Sequence, residues 1–176
     1  MRWGDGVWSL IMLHHKLIAG EIPGTYLVTE LINEEDLLTI ANQIARQKLA
    51  KGEAITDKYL AQKALQAILQ TREREVFVAL FLDNQHRLLA YEKLFLGTLG
   101  AATVHPREVL KSALKHNSAA LLLAHNHPSG YAEPSSANLQ ITEQLKGILQ
   151  LVEIRLLDHV IITAHTCVSL AERGCC

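Results

Sequence analysis

One run of apolar residues, 76–82, constrains the fold of this chain more than any other segment. Its even-numbered members are Val76, Val78, Leu80 and Leu82, and its odd-numbered members are Phe77, Ala79 and Phe81. Because side chains along a strand alternate between the two faces of a sheet, a strand with this sequence is apolar on both faces. Such a strand needs cover on both sides, so we expect it in the centre of a layered domain.

Helix and strand patterns alternate around this run over residues 56–170. Helices are predicted from Asn33 to Gly52, from Thr56-Asp57 through Ile68, from Pro106 to about Asn117 and from Ser135 through Leu149; the other strands are predicted at 86–95, 119–124, 154–163 and 166–170. The helices are defined by apolar residues at helical spacing and by residues that cap helix N-termini. This alternation predicts a sheet that is covered by helices on both faces.

The length of 176 residues allows one domain with a sizeable core and a shorter appendage. We predict an N-terminal arm and helix over residues 1–55 and the main domain over residues 56–176. The first thirty residues are expected to be irregular, apart from a turn at Pro23-Gly24. The first two helices are expected to form a hairpin that packs against the main domain.

Charge and cysteine content narrow the classes of function. A net charge of -1 and a pI near 6.7 give no overall electrostatic attraction for nucleic acid, although a local basic patch is compatible with them. The three cysteines, Cys167, Cys175 and Cys176, have no Cys-x-x-Cys spacing, so neither a disulfide framework nor a thiolate zinc site is indicated. We expect a cytoplasmic protein without a membrane span, because the N-terminal apolar stretch is short and lacks a cleavage signal.

Two histidines one residue apart are the best candidates for chemistry. His125 and His127 follow the predicted buried strand 119–124 and precede a Pro-Ser-Gly turn at 128–130. Two imidazoles placed in this way at the end of a strand can converge on one metal ion. Taken alone, such a pair is more often one surface imidazole and one that caps a carbonyl.

The wider pattern, His125-x-His127-Pro128 followed by Ser135-x-x-Asn138, resembles the JAMM/MPN+ metal-binding motif in the version that the bacterial RadC family carries. One position departs from that motif, because Asn138 stands where the motif has aspartate. The resemblance extends over residues 57–174 and includes Arg74-Glu75-Val76-Phe77, Phe81-Leu82-Asp83, Gly97-Thr98, His105-Pro106-Arg107-Glu108-Val109 and Leu157-Asp158-His159. It implies a cytidine-deaminase-like fold, a three-layer α/β/α arrangement around a mixed sheet, with an N-terminal helical extension.

The resemblance also implies a zinc-dependent site that hydrolyses peptide or isopeptide bonds. His125, His127 and position 138 would be the zinc ligands. The Ser135 hydroxyl would lie beside them, where it could hydrogen-bond the water or an oxyanion; a role as the N-cap alone is the alternative. Zinc with three protein ligands keeps a fourth position for water and lowers the pKa of that water. By the same resemblance, Glu75 would be the general acid and base, with a solvated charge at a strand end as the alternative.

Other residues remain open at this stage. Spacing alone does not separate Glu75 from Glu73 or Glu92. His105 and the Asp158-His159 pair also match family positions, but a loop histidine and a capped aspartate at a strand end explain them equally well. Glu133 lies too early in the loop to be an obvious substitute for the missing aspartate.

The presence of asparagine rather than aspartate at position 138 decides between the possible functions. A carboxamide is neutral and its oxygen is a poorer donor to zinc than a carboxylate, so we predict a weakened or empty zinc site and little hydrolysis. The first hypothesis is a metallopeptidase that acts despite Asn138. The second is a module that binds a protein or an extended peptide without cleaving it. The third hypothesis is a role in DNA repair, with which the RadC name is associated. It requires a nucleic-acid surface, which the charge balance does not favour.

Overall fold

The computed structural model describes residues 14–97 and 103–176. Its contacts divide the chain into two compact units between Ile44 and Ala45. The predicted division between residues 55 and 56 falls later in the chain and stays a prediction. Among the described residues, every helix is too short or too polar to cross a lipid bilayer.

The helices and strands follow the predicted order closely. The helices are α1 Glu34–Lys48, α2 Lys58–Leu69, α3 Pro106–Lys115 and α4 Ser136–Gln150; the strands are β1 Leu17–Ala19, β2 Tyr26–Val28, β3 Val76–Leu82, β4 Leu88–Leu96, β5 Ala120–Asn126, β6 Arg155–Ile162 and β7 Cys167–Ser169. Several helices begin at a polar N-cap residue. Asp57, for example, accepts hydrogen bonds from the backbone N–H groups of Tyr59 and Leu60 at the start of α2.

The N-terminal unit contains a small β-hairpin that the sequence did not predict. Strands β1 and β2 pair antiparallel, and the Thr25 N–H donates to the Ile22 carbonyl at 3.0 Å across the predicted turn at Pro23-Gly24. Gly24 has φ +82°, which a type II turn requires at its third position. An irregular or loosely packed arm was expected here; irregularity is wrong for residues 17–19 and 26–28, because strands of three residues, mostly exposed, carry no alternation to detect. Residues 1–13 lie outside the described residues.

The second unit is built on a five-stranded sheet in the order β4-β3-β5-β6-β7. Only β5 and β6 run parallel, so the sheet is mixed. One face packs against α2 and Leu49, and the other packs against α3 and α4. Strand β3 is buried along its whole length. The predicted three-layer α/β/α fold with a central β3 is confirmed.

The pairing of β5 with β3 determines where the histidine pair lies in the sheet. Phe77 of β3 lies opposite His125, which is inside β5 and fully buried. The predicted end of this strand at Ala124 is therefore wrong by two residues. Asn126 explains the extension, because its Oδ1 accepts from the Val76 N–H at 2.8 Å and its Nδ2 donates to the carbonyls of Arg72 and Arg74. The polar end of β5 is thus satisfied by the chain that enters β3.

Candidate metal centre

His127 is held at the mouth of the site by backbone contacts. Its N–H donates to the Ile162 carbonyl at the end of β6, at 2.8 Å. Its ring Nδ1 lies 2.7 Å from the Tyr131 carbonyl. A carbonyl only accepts hydrogen bonds, so Nδ1 carries the proton and donates it. In the neutral ring, Nε2 of His127 therefore has a free lone pair.

A chain of hydrogen bonds fixes the tautomer of His125 in the same way. The Thr142 hydroxyl donates to the Asn138 carbonyl at 2.6 Å, so it accepts from His159 Nδ1, also at 2.6 Å. Nε2 of His159 then accepts from His125 Nδ1 at 2.8 Å. The chain starts at a carbonyl that only accepts, so each neutral ring has one possible proton position. His125 is left with a lone pair on Nε2.

The two nitrogens that carry these lone pairs lie close together. His125 Nε2 and His127 Nε2 lie 2.9 Å apart. Two ligand atoms on a tetrahedral zinc ion, each at 2.0–2.1 Å from it, are about 3.3–3.4 Å apart. The observed spacing is slightly shorter than that, and the tautomers just derived place no proton between the two nitrogens. Two unprotonated nitrogens this close repel each other, and a bound cation would remove that repulsion.

Asn138 completes the cluster, but it turns its nitrogen toward the histidines. Its Oδ1 accepts from the Ser135 N–H at 2.9 Å and from Ser135 Oγ at 2.8 Å, and its own N–H donates to Ser135 Oγ. A backbone N–H only donates, so the amide oxygen has to face the helix cap. Nδ2 therefore faces His125 Nε2, at 3.3 Å. The Ser135 hydroxyl is occupied in the same N-cap.

Comparison with known proteins identifies the family. Residues 55–175 match the family described as "RadC-like JAB domain". A "UPF0758 protein" of Nitrosococcus oceani is 56% identical over 126 residues, which cover 72% of this chain and 56% of that protein. Relatives with the same description in Cellvibrio japonicus and Vibrio cholerae are 47% and 48% identical, over 84% and 82% of this chain and 66% and 65% of their own lengths. The chain belongs to the RadC family.

This RadC-family chain spans between 56% and 66% of the length of these relatives. What those longer proteins do as a whole is therefore not assigned to it by the comparison. The resemblance that the sequence showed to RadC proteins is confirmed. The individual site residues remain predictions, and their support is the geometry.

The metal that the family implies fits the RadC site only in part. His125 and His127 offer two imidazole lone pairs, which suit zinc. The third position offers an amide N–H, which is not a metal ligand, because the Asn138 oxygen is held by the N-cap. Within 14–97 and 103–176, no group of three or more His, Cys, Asp or Glu side chains is arranged to hold a metal ion. Glu133 does not replace the aspartate, since it pairs with Arg173 at 2.6 and 2.8 Å.

Glu75 lies at the start of β3, next to the histidines. It is buried, with 8% of its surface exposed. Residues 75 and 77 lie on the same face of the strand, and Phe77 is opposite His125. Glu73, its competitor in the sequence, is exposed, and Glu92 is bonded to His116 at 2.6 Å. Burial and strand position therefore favour Glu75 over both alternatives.

Sequence reasoning did not find the hydrogen-bond chain behind His125. Thr142 was not predicted to contribute, although it stands four residues after Asn138, on the same face of α4. His159 matched the family pattern, but nothing in its spacing separated it from a loop histidine. In the structure it is fully buried in β6 and bonded to His125. His159 is thus a positioning residue rather than a ligand, and His105 caps α3 without a side-chain hydrogen bond.

Burial makes His125 and His159 resist protonation. Burial, and then the charges of His159 and His127, hold the pKa of His125 well below its usual range. Burial also lowers the pKa of His159, to about 4, against the opposing effect of Asp158. Both rings are therefore neutral at pH 7, as the tautomer assignment requires.

We expect acid to destabilise the metal-free protein through these rings. Between pH 6.5 and 4 the unfolded chain protonates His159 and the folded chain does not, so the free energy of unfolding falls as pH falls. The contribution of His159 alone is about 3 kcal/mol. Urea unfolding in chelator between neutral pH and pH 4 measures it. His159→Gln should flatten the dependence while His15→Gln, at an exposed site, leaves it unchanged; an equal slope in H159Q would contradict the assignment.

Proposed function

We propose that this chain carries a metallopeptidase-type site of the RadC family, which binds its divalent ion weakly and hydrolyses peptide or isopeptide bonds slowly. The observation that supports this most is the close approach of two ring nitrogens that carry no proton, His125 Nε2 and His127 Nε2, which lie 2.9 Å apart. Its substrate is a peptide or a protein, and the cysteine pattern favours a cytoplasmic setting.

Each residue has a distinct part in the proposed reaction. His125 and His127 would hold the ion, and His159 keeps His125 in the required tautomer. A bound zinc ion would supply Lewis acidity and a more acidic water. The Glu75 carboxylate would take a proton from water and pass it to the leaving amine. Asn138 would contribute neither negative charge nor an oxygen ligand while its cap is intact.

A second candidate is a protein that binds a peptide without cleaving it. It is favoured by the Asn138 N–H, which donates to His125 Nε2 and so uses one of the two lone pairs without a metal. This hydrogen bond satisfies part of the site when no ion is bound. The two candidates differ in whether purified protein takes up zinc.

Replacing Asn138 by aspartate tests the proposal. Asn138→Asp adds a negative charge and a second oxygen, one for the N-cap and one for the ion, so zinc affinity should rise at least about 10- to 100-fold. Zinc content is measured after dialysis against a mild chelator, together with peptide hydrolysis. Unaltered protein should retain well under one zinc per chain, and N138D close to one.

Asn84→Asp is the matched control. It makes the same chemical change at an exposed turn and should leave zinc retention unaltered. If unaltered protein already keeps one zinc through dialysis, weak binding is wrong. If N138D gains no zinc, the metal site itself is wrong and the binding module is preferred.

A further inference from the structure

A small basic pocket lies beside the edge strand β4, on the same face of the sheet as α2. Its walls come from the end of α1, from α2 and the residues after it, and from β4. The lining residues are Arg46, Leu49, Ile68, Arg72, Tyr91 and Lys93, and the volume is about 220 Å³. Three of the six are cations and none is acidic, in a chain whose net charge is -1.

These cations are not neutralised by the protein. Some other basic side chains of this unit pair with carboxylates, as Lys58 does with Asp158 and Arg87 with Asp83. Among the described residues, the side chains of Arg46, Arg72 and Lys93 make no ion pair and no hydrogen bond. Like charges gathered around one cavity repel each other, so a bound anion would stabilise this arrangement.

Tyr91 adds an independent indication of a ligand. Its hydroxyl is buried and has no hydrogen-bond partner. A buried hydroxyl without a partner destabilises a fold, so such a group usually meets a ligand or a water molecule. Burial raises the pKa of Tyr91, so its hydroxyl keeps the proton that it can donate to an anion. Leu49 and Ile68 form the apolar part of the wall, while Arg46, Arg72 and Lys93 are exposed to solvent.

We propose that this pocket binds a phosphoryl group, as inorganic phosphate or as part of a small phosphorylated molecule. Two guanidinium groups, one ammonium group and one phenol hydroxyl suit the charge and the several oxygen acceptors of a phosphate dianion better than a single carboxylate. The pocket is separate from His125 and Asn138, so the proposal does not depend on the metal site.

Titration with inorganic phosphate at constant ionic strength, followed by calorimetry and by thermal unfolding, tests the pocket. Unaltered protein should bind phosphate saturably and unfold at a higher temperature in its presence. Arg46→Gln and Lys93→Gln should each weaken binding at least about tenfold, because each removes a charged hydrogen-bond donor. Arg107→Gln, an exposed arginine of α3, is the matched control and should bind normally.

Tyr91→Phe separates ligand binding from a structural role. Without phosphate it should be as stable as unaltered protein or more stable, since it removes an unpaired hydroxyl. With phosphate it should show a smaller increase in unfolding temperature. Arg72 is left intact because it also borders the groove beside His127.

Three results would overturn the proposal: no saturable response to phosphate, equal weakening by R107Q, or tighter binding of a dicarboxylate such as succinate. Retention of duplex DNA without a response to free phosphate would also overturn it, in favour of an extended polyanion surface. A phosphorylated sugar that binds more tightly than phosphate, with the same dependence on Arg46 and Lys93, would support the larger ligand as the source of the phosphoryl group.

Discussion

Glu75→Gln, introduced into zinc-loaded N138D protein, is expected to lower peptide hydrolysis by about 10²- to 10⁴-fold. The amide has nearly the same shape as the carboxylate but cannot accept a proton from water. Zinc content should not change, because Glu75 is not proposed as a ligand. The measurement is the rate constant for a peptide that N138D cleaves, with metal analysis of the same samples.

Glu73→Gln provides the comparison for this variant. Glu73 lies two residues earlier and is exposed, so its loss should change the rate less than twofold or threefold. If E73Q loses as much activity as E75Q, the assignment of the general base fails. If E75Q loses zinc, Glu75 belongs to the metal-binding set instead. Either result leaves the N138D zinc measurement standing on its own.

The main features of the fold could be predicted from local patterns because each of them depends on a short segment of the sequence. Residues 76–82 alternate apolar side chains on both faces, and the strand has those bounds in the structure. Ser135 caps α4 as its sequence position predicts. These features depend on neighbours within a few residues, which the sequence shows directly.

The end of β5 could not be predicted because it depends on distant partners. His125 and Asn126 interrupt an apolar pattern, and polar residues at that point normally indicate the start of a turn. They remain in the strand because His159 and the backbone of 72–76 satisfy their polar groups. Such long-range pairing is not visible in local composition.

The sequence predicted which residues lie together in the site, but not which of their atoms face each other. The motif predicted that His125, His127 and Asn138 lie together, and they do so in the structure. Which atom of the carboxamide faces the histidines depends on the Ser135 cap, and the tautomers depend on Thr142 and on the Tyr131 carbonyl. The residue types alone do not show which atoms can bind a metal. The direction of each hydrogen bond does.

A buried carboxylate in β6, that of Asp158, holds several parts of this unit together. The Asp158 carboxylate, 2% exposed, accepts from the Ser169 hydroxyl at 2.7 Å and from two backbone N–H groups, those of His159 and Ala171. Lys58 Nζ lies 3.2 Å from it and links the start of α2 to β6. Of the two interpretations left open for this residue, a capped aspartate at a strand end is wrong, because Asp158 lies within β6.

Asp158→Ala should therefore reduce the free energy of unfolding by about 3–5 kcal/mol, since it leaves two buried donors and one part-buried donor without their acceptor and removes the buried partner of Lys58. Glu172→Ala is the matched control, because Glu172 also pairs with Lys58, at 3.3 Å, but is 68% exposed. Its loss should cost at most about 1 kcal/mol. Urea unfolding of both variants at pH 7 makes the comparison. Equal effects would mean that Lys58, rather than the buried carboxylate and its donors, determines the stability of this contact.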